Sequence, residues 1–149
     1  TWLPLAADTP VRSQKTVRRS LTLRVASMSA IASASPIARV AVVEEVVGAV
    51  TIAVHGRLYA EISTPDELEV RMLAVIEAAR GRGVAGALMD AVEPRARELG
   101  LPAVVLSTAP TMHAAHRLYE PRGYQRQPNR DWVVDQDMTL LVYRLALTP

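Results

Sequence analysis

The stretch that decides the fold is RGRGVAG at residues 80–86, which continues as ALMDAVEPRARELG at residues 87–100. Its glycines follow the spacing G-x-G-x-x-G, which is typical of a phosphate-binding turn at the start of a helix. Gly100 and Pro102 predict the end of that helix, and Pro94 predicts a bend within it. Its apolar positions recur with the period of a half-buried helix: Val84, Leu88, Ala91, Val92, Ala96 and Leu99.

The start of such a helix favours an anion. The first backbone N–H groups have no partner inside the helix, and the helix dipole adds about half a positive charge there. Arg80 and Arg82 bring two formal charges to the same loop. The loop is therefore a candidate phosphate site, and the alternative is a tight turn in which the glycines only relieve steric strain.

Several features disfavour a nicotinamide or flavin dinucleotide at this loop. The loop lies in the middle of the chain, whereas a dinucleotide-binding fold usually opens with it. The next predicted strand, which ends near Ser107, is not followed by the acidic residue that would hold a ribose. The rest of the chain is too short for a second mononucleotide-binding half. Arg82 stands where a P-loop would carry lysine, which disfavours a nucleoside triphosphate.

Strands are predicted before the glycine loop. The runs IARVAVV (37–43) and VVGAVTIAV (46–54) indicate a hairpin, and Gly48 predicts a bulge or a close backbone approach. A third strand, LEVRMLAV (68–75), alternates between two faces. Leu68, Val70, Met72 and Ala74 share one face, and Glu69, Arg71, Leu73 and Val75 share the other.

The elements after the loop complete an α/β pattern. A buried strand (103–107), a short helix (111–121) and a closing strand (139–147) follow the main helix. This order predicts a mixed sheet with helices packed on it.

Length and composition bound the domain organisation and the class of protein. With 149 residues, half of them hydrophobic, the chain fits one domain. We expect a flexible arm at residues 1–16 and a single domain at 17–149. Its first part (17–35) is ambiguous: TVRRSLTLRV (16–25) fits an edge strand, and ASMSAIASAS (26–35) fits a weak helix. The absence of Cys excludes a thiolate nucleophile or metal site. The net charge is only +2 and no basic stripe is visible, so we expect no nucleic-acid partner. Every apolar run is shorter than a membrane span requires, so we expect a cytoplasmic protein.

Two motifs resemble those of the GCN5-related N-acetyltransferase family. The apolar triplet LAV (73–75) precedes RGRGVA (80–85), which fits the pattern Q/R-x-x-G-x-G/A of the family. A second pattern, N-x-x-A-x-x-L-Y-E-x-x-G-F, is similar to residues 112–124. The matching positions are Met112, Ala115, Leu118, Tyr119, Glu120, Gly123 and Tyr124. The resemblance covers residues 37–147.

The resemblance implies a fold, a cofactor and a reaction. The fold would be an α+β arrangement with a mixed, mostly antiparallel central sheet flanked by helices. A bulge in strand 68–75 would splay the sheet at its centre, away from strand 103–107. The reaction would move an acetyl group from acetyl-CoA to an amine by direct attack, with no metal. The acceptor would be a protein lysine or N-terminus, or a small-molecule amine. The residues expected to bind acetyl-CoA are Leu73, Ala74, Val75, Arg80, Gly81, Arg82, Gly83, Val84, Ala85, Gly86, Met112 and Ala115.

Two catalytic residues follow from the same resemblance. Tyr119 matches the general acid that protonates the CoA sulfur, and its alternative role is that of a core tyrosine. Glu69 matches the catalytic glutamate of the histone-acetyltransferase branch, and its alternative is a solvated carboxylate at a sheet edge. Glu61 and Glu67 are weaker candidates for the same base.

Departures from the family pattern leave other interpretations open. Met112 replaces an Asn that binds the pantetheine arm, while Pro121 and Arg122 replace Lys-Leu. The family places two helices between its first and second strands to floor the acceptor pocket, and residues 25–36 offer barely one. The pocket would therefore be open, completed by a partner chain as in a homodimer, or disordered. A regulatory CoA-binding module without turnover therefore remains an alternative. His113 and His116 lie on one helix face without a third ligand, so no metal is expected.

Overall fold

A computed structural model describes residues 46–148, together with the backbone of two earlier strands. The predicted arm at 1–16 and the turn at Glu44 and Glu45 lie outside the described residues. The strands are β1 (Arg24–Met28), β2 (Ile37–Val42), β3 (Val46–Val54), β4 (Glu67–Val75), β5 (Ala103–Thr108), β6 (Gln125–Arg126), β7 (Trp132–Asp135) and β8 (Met138–Ala146). The α-helices are α1 (Val84–Glu98) and α2 (His113–Tyr119), and short 3₁₀ helices span Glu77–Ala79, Glu120–Arg122 and Pro128–Arg130.

The strands form one sheet in the order β1-β2-β3-β4-β5-β8-β6, with β7 paired to β8. Among the pairings in the described part of the chain, only that of β4 with β5 is parallel. The predicted hairpin is confirmed as the antiparallel pair of β2 and β3. β1 begins in the run predicted as an edge strand (16–25) and extends to Met28, so the weak helix predicted from Ala26 is wrong at its start.

A bulge in β4 changes the face to which its side chains point. Thr51 pairs with Met72 and Ile52 pairs with Val70, so Arg71 is an extra residue on β4. Before the bulge Leu68 and Val70 are buried in the core, whereas beyond it Leu73 and Val75 pack against the core. The predicted alternation therefore fails beyond Val70, because one inserted residue reverses the inward and outward positions. The bulge that the resemblance implied in this strand is confirmed.

The same strand leaves its neighbour beyond the bulge. β4 pairs with β5 from Glu67 and Ala103 as far as Val70 and Leu106, and the pairing ends there. β4 nevertheless stays with β3 as far as Val75. β5 stays with β8 to its own end. The sheet is thus splayed at its centre, which confirms the predicted architecture.

Helix α1 covers β3 and β4 on one face of the sheet. Val84, Leu88, Val92 and Ala96 are buried, as the periodicity predicted. Leu99 is 37% exposed, so its assignment to the buried face is wrong. Met89 is buried and was missed, because it lies beside the predicted row of apolar positions. The helix runs through Pro94, which is exposed.

Gly48 lies under the start of α1. A Cβ placed on it would lie 2.8 Å from Val84 Cγ1, 3.0 Å from the Ala74 carbonyl oxygen and 3.2 Å from Leu88 Cδ1. The predicted close backbone approach is confirmed, and it lets α1 pack directly onto the sheet beside the splay.

Candidate functional site

A cavity of about 560 Å³ lies where the end of β4, the glycine loop and α2 meet. It brings together the following predicted cofactor-binding residues: Val75, Arg80, Gly81, Gly83, Val84, Ala85 and Gly86. Residues that are distant in the sequence therefore form one concave site at the end of β4, the strand that parts from β5.

The glycine loop turns sharply into α1. Gly81 and Gly83 have φ values of 72° and 79°, in the left-handed region, and a Cβ on either would meet nothing within 4 Å. Backbone conformation rather than crowding therefore requires glycine at both positions. The first bond of the helix runs from the Ala87 N–H to the Gly83 carbonyl at 2.9 Å. The amides of residues 84–86 precede that bond, so they are available to an anion.

Positive side chains surround these amides. Arg80 and Arg117 line the cavity, as does Arg122. Arg80 Nε donates a hydrogen bond to the Val75 carbonyl at 3.4 Å, which holds its chain along the end of β4. Among the described residues no carboxylate lines the cavity. Three guanidinium groups and a helix N-terminus therefore give the site a positive potential, which suits a phosphorylated ligand.

The other predicted cofactor-binding residues lie outside the lining of the cavity. Leu73 packs against the core on the bulged part of β4, and Ala115 packs against it from α2. Ala74 and Arg82 are exposed, and Met112 is 53% exposed at the start of α2. The residue that replaces the family's Asn thus turns to solvent, and the roles of these five residues stay predictions.

Tyr119 ends α2 with its side chain in the core. It is 6% exposed, and its ring centroid lies 5.8 Å from that of Tyr124 and 6.4 Å from that of Tyr143. Burial raises the pKa of Tyr119 to about 12, so the phenol keeps its proton at neutral pH. Such a group can donate a hydrogen bond, and its role as an acid stays a prediction.

Glu69 is buried rather than solvated, so the alternative of an edge carboxylate is wrong. Its side chain is 1% exposed. Its Oε2 accepts hydrogen bonds from the amides of Glu61 at 2.9 Å, Ile62 at 3.0 Å and Ser63 at 3.0 Å. Its Oε1 accepts one from Arg71 at 3.4 Å. These contacts favour an anchor for the loop between β3 and β4, and the catalytic role of Glu69 stays a prediction.

The two weaker base candidates differ in their surroundings. Burial opposes ionisation of Glu67, but hydrogen bonds from Arg130, the Thr64 amide and Arg144 outweigh it and hold its pKa at about 2. A carboxylate with so low a pKa is a poor proton acceptor. The Glu61 side chain is 49% exposed and lies 3.9 Å from Arg71, so it is open to solvent.

Sequence reasoning missed part of the cavity lining. Ala79, Ala114 and Leu118 line it, and so does Arg122. Ala79 and Ala114 carry no distinctive signal, whereas Leu118 matched the second motif without being assigned to the cofactor. Arg122 carried a signal as well, because Pro121 and Arg122 depart from the Lys-Leu pair that the resemblance implies.

Two kinds of feature are absent from the described residues. No group of three or more His, Asp or Glu side chains in this part of the chain is placed to hold a metal ion. Within the same residues no helix combines the length and hydropathy of a membrane span.

Comparisons with solved structures find the same fold in acetyltransferases. An IAA acetyltransferase of Bacillus cereus aligns with 15% identity and a TM-score of 0.61 over 75% of this chain and 78% of that one. An N-acetyltransferase of Staphylococcus aureus aligns with 20% identity and a TM-score of 0.58 over 76% and 68%. A Bacillus anthracis protein named for streptothricin acetylation, solved with acetyl coenzyme A, aligns with 18% identity and a TM-score of 0.63 over 78% and 65%.

The family assignment comes from the sequence itself. No curated protein matches the chain. Residues 11–124 match the Acetyltransferase (GNAT) family. Since this match covers most of the chain and the fold agrees with it, the protein belongs to the GNAT family of acetyltransferases.

Proposed function

We propose that the protein transfers the acetyl group of acetyl-CoA to an amine, either of a small molecule or of a protein. The observation that carries the proposal is the parting of β4 from β5 beyond Val70 and Leu106, next to a cavity lined by the glycine loop and arginines. Acetyl-CoA needs a slot for its long pantetheine arm and a positively charged site for its phosphates.

The residues present fit this carrier. The amides of residues 84–86 and the guanidinium of Arg80 would hold the diphosphate. Residues 71–75 keep the edge of β4 that faces β5 unpaired, and this edge would hydrogen-bond the amide groups of the arm. When bound, acetyl-CoA supplies an acetyl thioester that an amine can attack.

The remaining chemistry falls to the chain and to solvent. A backbone N–H on the free edge of β4 would stabilise negative charge on the acetyl oxygen. Tyr119, whose raised pKa keeps it protonated, would donate its hydrogen towards the sulfur. Because the described carboxylates Glu67 and Glu69 are engaged in hydrogen bonds, we propose that water takes the proton of the amine.

The engaged carboxylates and the exposed Met112 also favour a second candidate, a regulatory module that binds CoA without turnover. One experiment separates the two functions. Purified protein is incubated with acetyl-CoA and a panel of amines and peptides, and release of free thiol is followed, while calorimetry measures CoA binding. Acceptor-dependent thiol release supports the transferase, and binding without release supports the module. Absence of CoA binding would contradict both.

A further inference from the structure

Arg122 lies in the wall of the cavity, at a position where the resemblance implies Leu. We propose that Arg122 is a further ligand-binding residue of this chain and that it contacts the diphosphate of the CoA carrier. The inference rests on the proposed function, and it adds a ligand that the resemblance does not supply.

The contacts of Arg122 place its guanidinium on the first turn of α1. Nη1 donates to the Leu118 carbonyl at 3.2 Å, and Nη2 donates to Asp90 Oδ1 at 3.2 Å. A Cβ on Gly86 would lie only 2.8 Å from Nη2. Gly86 is not among the glycines with positive φ, so what it provides is room for this guanidinium. The guanidinium therefore lies beside one of the amides that face the cavity.

The guanidinium has capacity for a further acceptor. Its Nε is buried without a hydrogen-bond partner among the described residues, so the capacity lies in Nη1 and Nη2, each of which makes one hydrogen bond there. Its ion pair with Asp90 adds little stability, because the Asp90 side chain is 71% exposed and solvent screens the pair. A phosphate can take the place of Asp90, since a fork of N–H donors matches phosphate oxygens and the helix N-terminus favours the same charge.

The position of the guanidinium indicates which phosphate it binds. The helix-start amides are the natural site of the diphosphate, and Gly86 contributes one of them. Arg122 should therefore contact the diphosphate rather than the 3′-phosphate of the carrier. Dephospho-CoA, which lacks only the 3′-phosphate, distinguishes the two.

The test measures Kd by calorimetry for CoA and for dephospho-CoA, with the wild-type protein and with Arg122→Gln. We expect Arg122→Gln to weaken the binding of both ligands by about tenfold, the effect of one charge-assisted hydrogen bond. A loss seen with CoA but not with dephospho-CoA would assign Arg122 to the 3′-phosphate and overturn the proposal. Unchanged Kd values for both ligands would also overturn it.

Arg97→Gln is the matched control, because it removes the same charge from the far end of α1, where Arg97 is 49% exposed and outside the cavity lining. We expect its Kd to stay within about twofold of the wild type. An equal loss in Arg97→Gln would make the effect one of net charge and contradict the proposal.

A second variant separates binding from folding. Arg122→Leu introduces the residue that the resemblance implies at this position, so its Tm without ligand should match the wild type within a few degrees while its Kd rises like that of Arg122→Gln. A Tm that falls in both variants together with an unchanged Kd would assign Arg122 a structural role. If the wild type itself bound no CoA, the proposed function would fail, which is distinguishable from a failure of Arg122 alone.

Discussion

Arg130 donates hydrogen bonds to both carboxylate oxygens of Glu67, from which it is separated by 63 residues in the sequence. Nη1 lies 2.8 Å from Oε1, and Nη2 lies 2.8 Å from Oε2. Arg144 Nε adds a third contact at 2.8 Å, and the Thr64 amide adds a fourth at 2.9 Å. This cluster ties the start of β4 to β8 and to the segment that joins β6 to β7. It fixes the paired half of β4, from which the strand departs towards the cavity.

Glu67 should make the stability of the protein fall in acid. The pKa of Glu67 is lowered from 4.5 to about 2 in the folded protein. Its contribution to the free energy of unfolding is therefore complete above pH about 4.5 and is lost as the pH falls through about 2. The shift corresponds to about 3 kcal/mol of unfolding free energy. Denaturant unfolding measured across this window checks the prediction.

The matched variants for that measurement are Glu67→Gln and Glu98→Gln. Glu67→Gln should destabilise the protein by about 2–4 kcal/mol at neutral pH, because it leaves two arginines without their charged partner. It should also reduce the fall in unfolding free energy between pH about 4.5 and about 2. Glu98 pairs with Arg95 and is 57% exposed, so its loss should matter little. If the unfolding free energy of Glu67→Gln fell in acid as steeply as that of the wild type, this account would be contradicted.

Glu69→Gln should release the loop between β3 and β4. The uncharged amide is a weaker acceptor for the three N–H groups of residues 61–63, so we expect a loss of about 2 kcal/mol in unfolding free energy. Hydrogen exchange of these three amides should rise before that of the core strands. A variant with unchanged exchange but strongly reduced acetyl transfer would instead establish Glu69 as the base.

Tyr119→Phe should impair transfer without unfolding the protein. The ring keeps its packing, so Tm should change little, whereas kcat should fall by about a hundredfold if the hydroxyl acts as an acid. With a pKa of about 12, Tyr119 should produce no loss of rate with rising pH below about 12. Rate profiles of wild type and variant check both statements.

Tyr124→Phe is the control for that experiment, because the two rings are neighbours. The Tyr124 hydroxyl is buried and without a hydrogen-bond partner in the described part of the chain, so its removal should leave stability equal or slightly higher. Rates that fall equally in both variants would show that Tyr119 acts through packing rather than through its hydroxyl.

Gly48→Ala should destabilise the fold by about 1–3 kcal/mol, because its Cβ would enter the space of Val84 and of the Ala74 carbonyl. The double variant with Val84→Ala should lose less than the sum of the single losses, since one of the clashes is removed. Chemical denaturation of the three variants measures this coupling. Additive losses would contradict the close packing of α1 on β3.

The sequence predicted the elements whose signals are local. The glycine spacing and the 3.6-residue period placed the loop and α1, and β-branched runs placed the hairpin of β2 and β3. The second motif placed Tyr119 at the end of α2. Each signal lies within a few consecutive residues, where chain conformation and side-chain periodicity act directly.

The tertiary structure alone decided the features that depend on distant partners. The resemblance implied a bulge in β4, but its position at Arg71 shows only in the register with β3. The burial of Glu67 and Glu69 depends on loop amides and arginines brought by other elements. Arg122 reaches the cavity because Gly86, 36 positions earlier in the chain, leaves it room. A sequence determines local conformation through short-range sterics, whereas charge pairing and cavity walls arise only when the folded chain brings remote segments together.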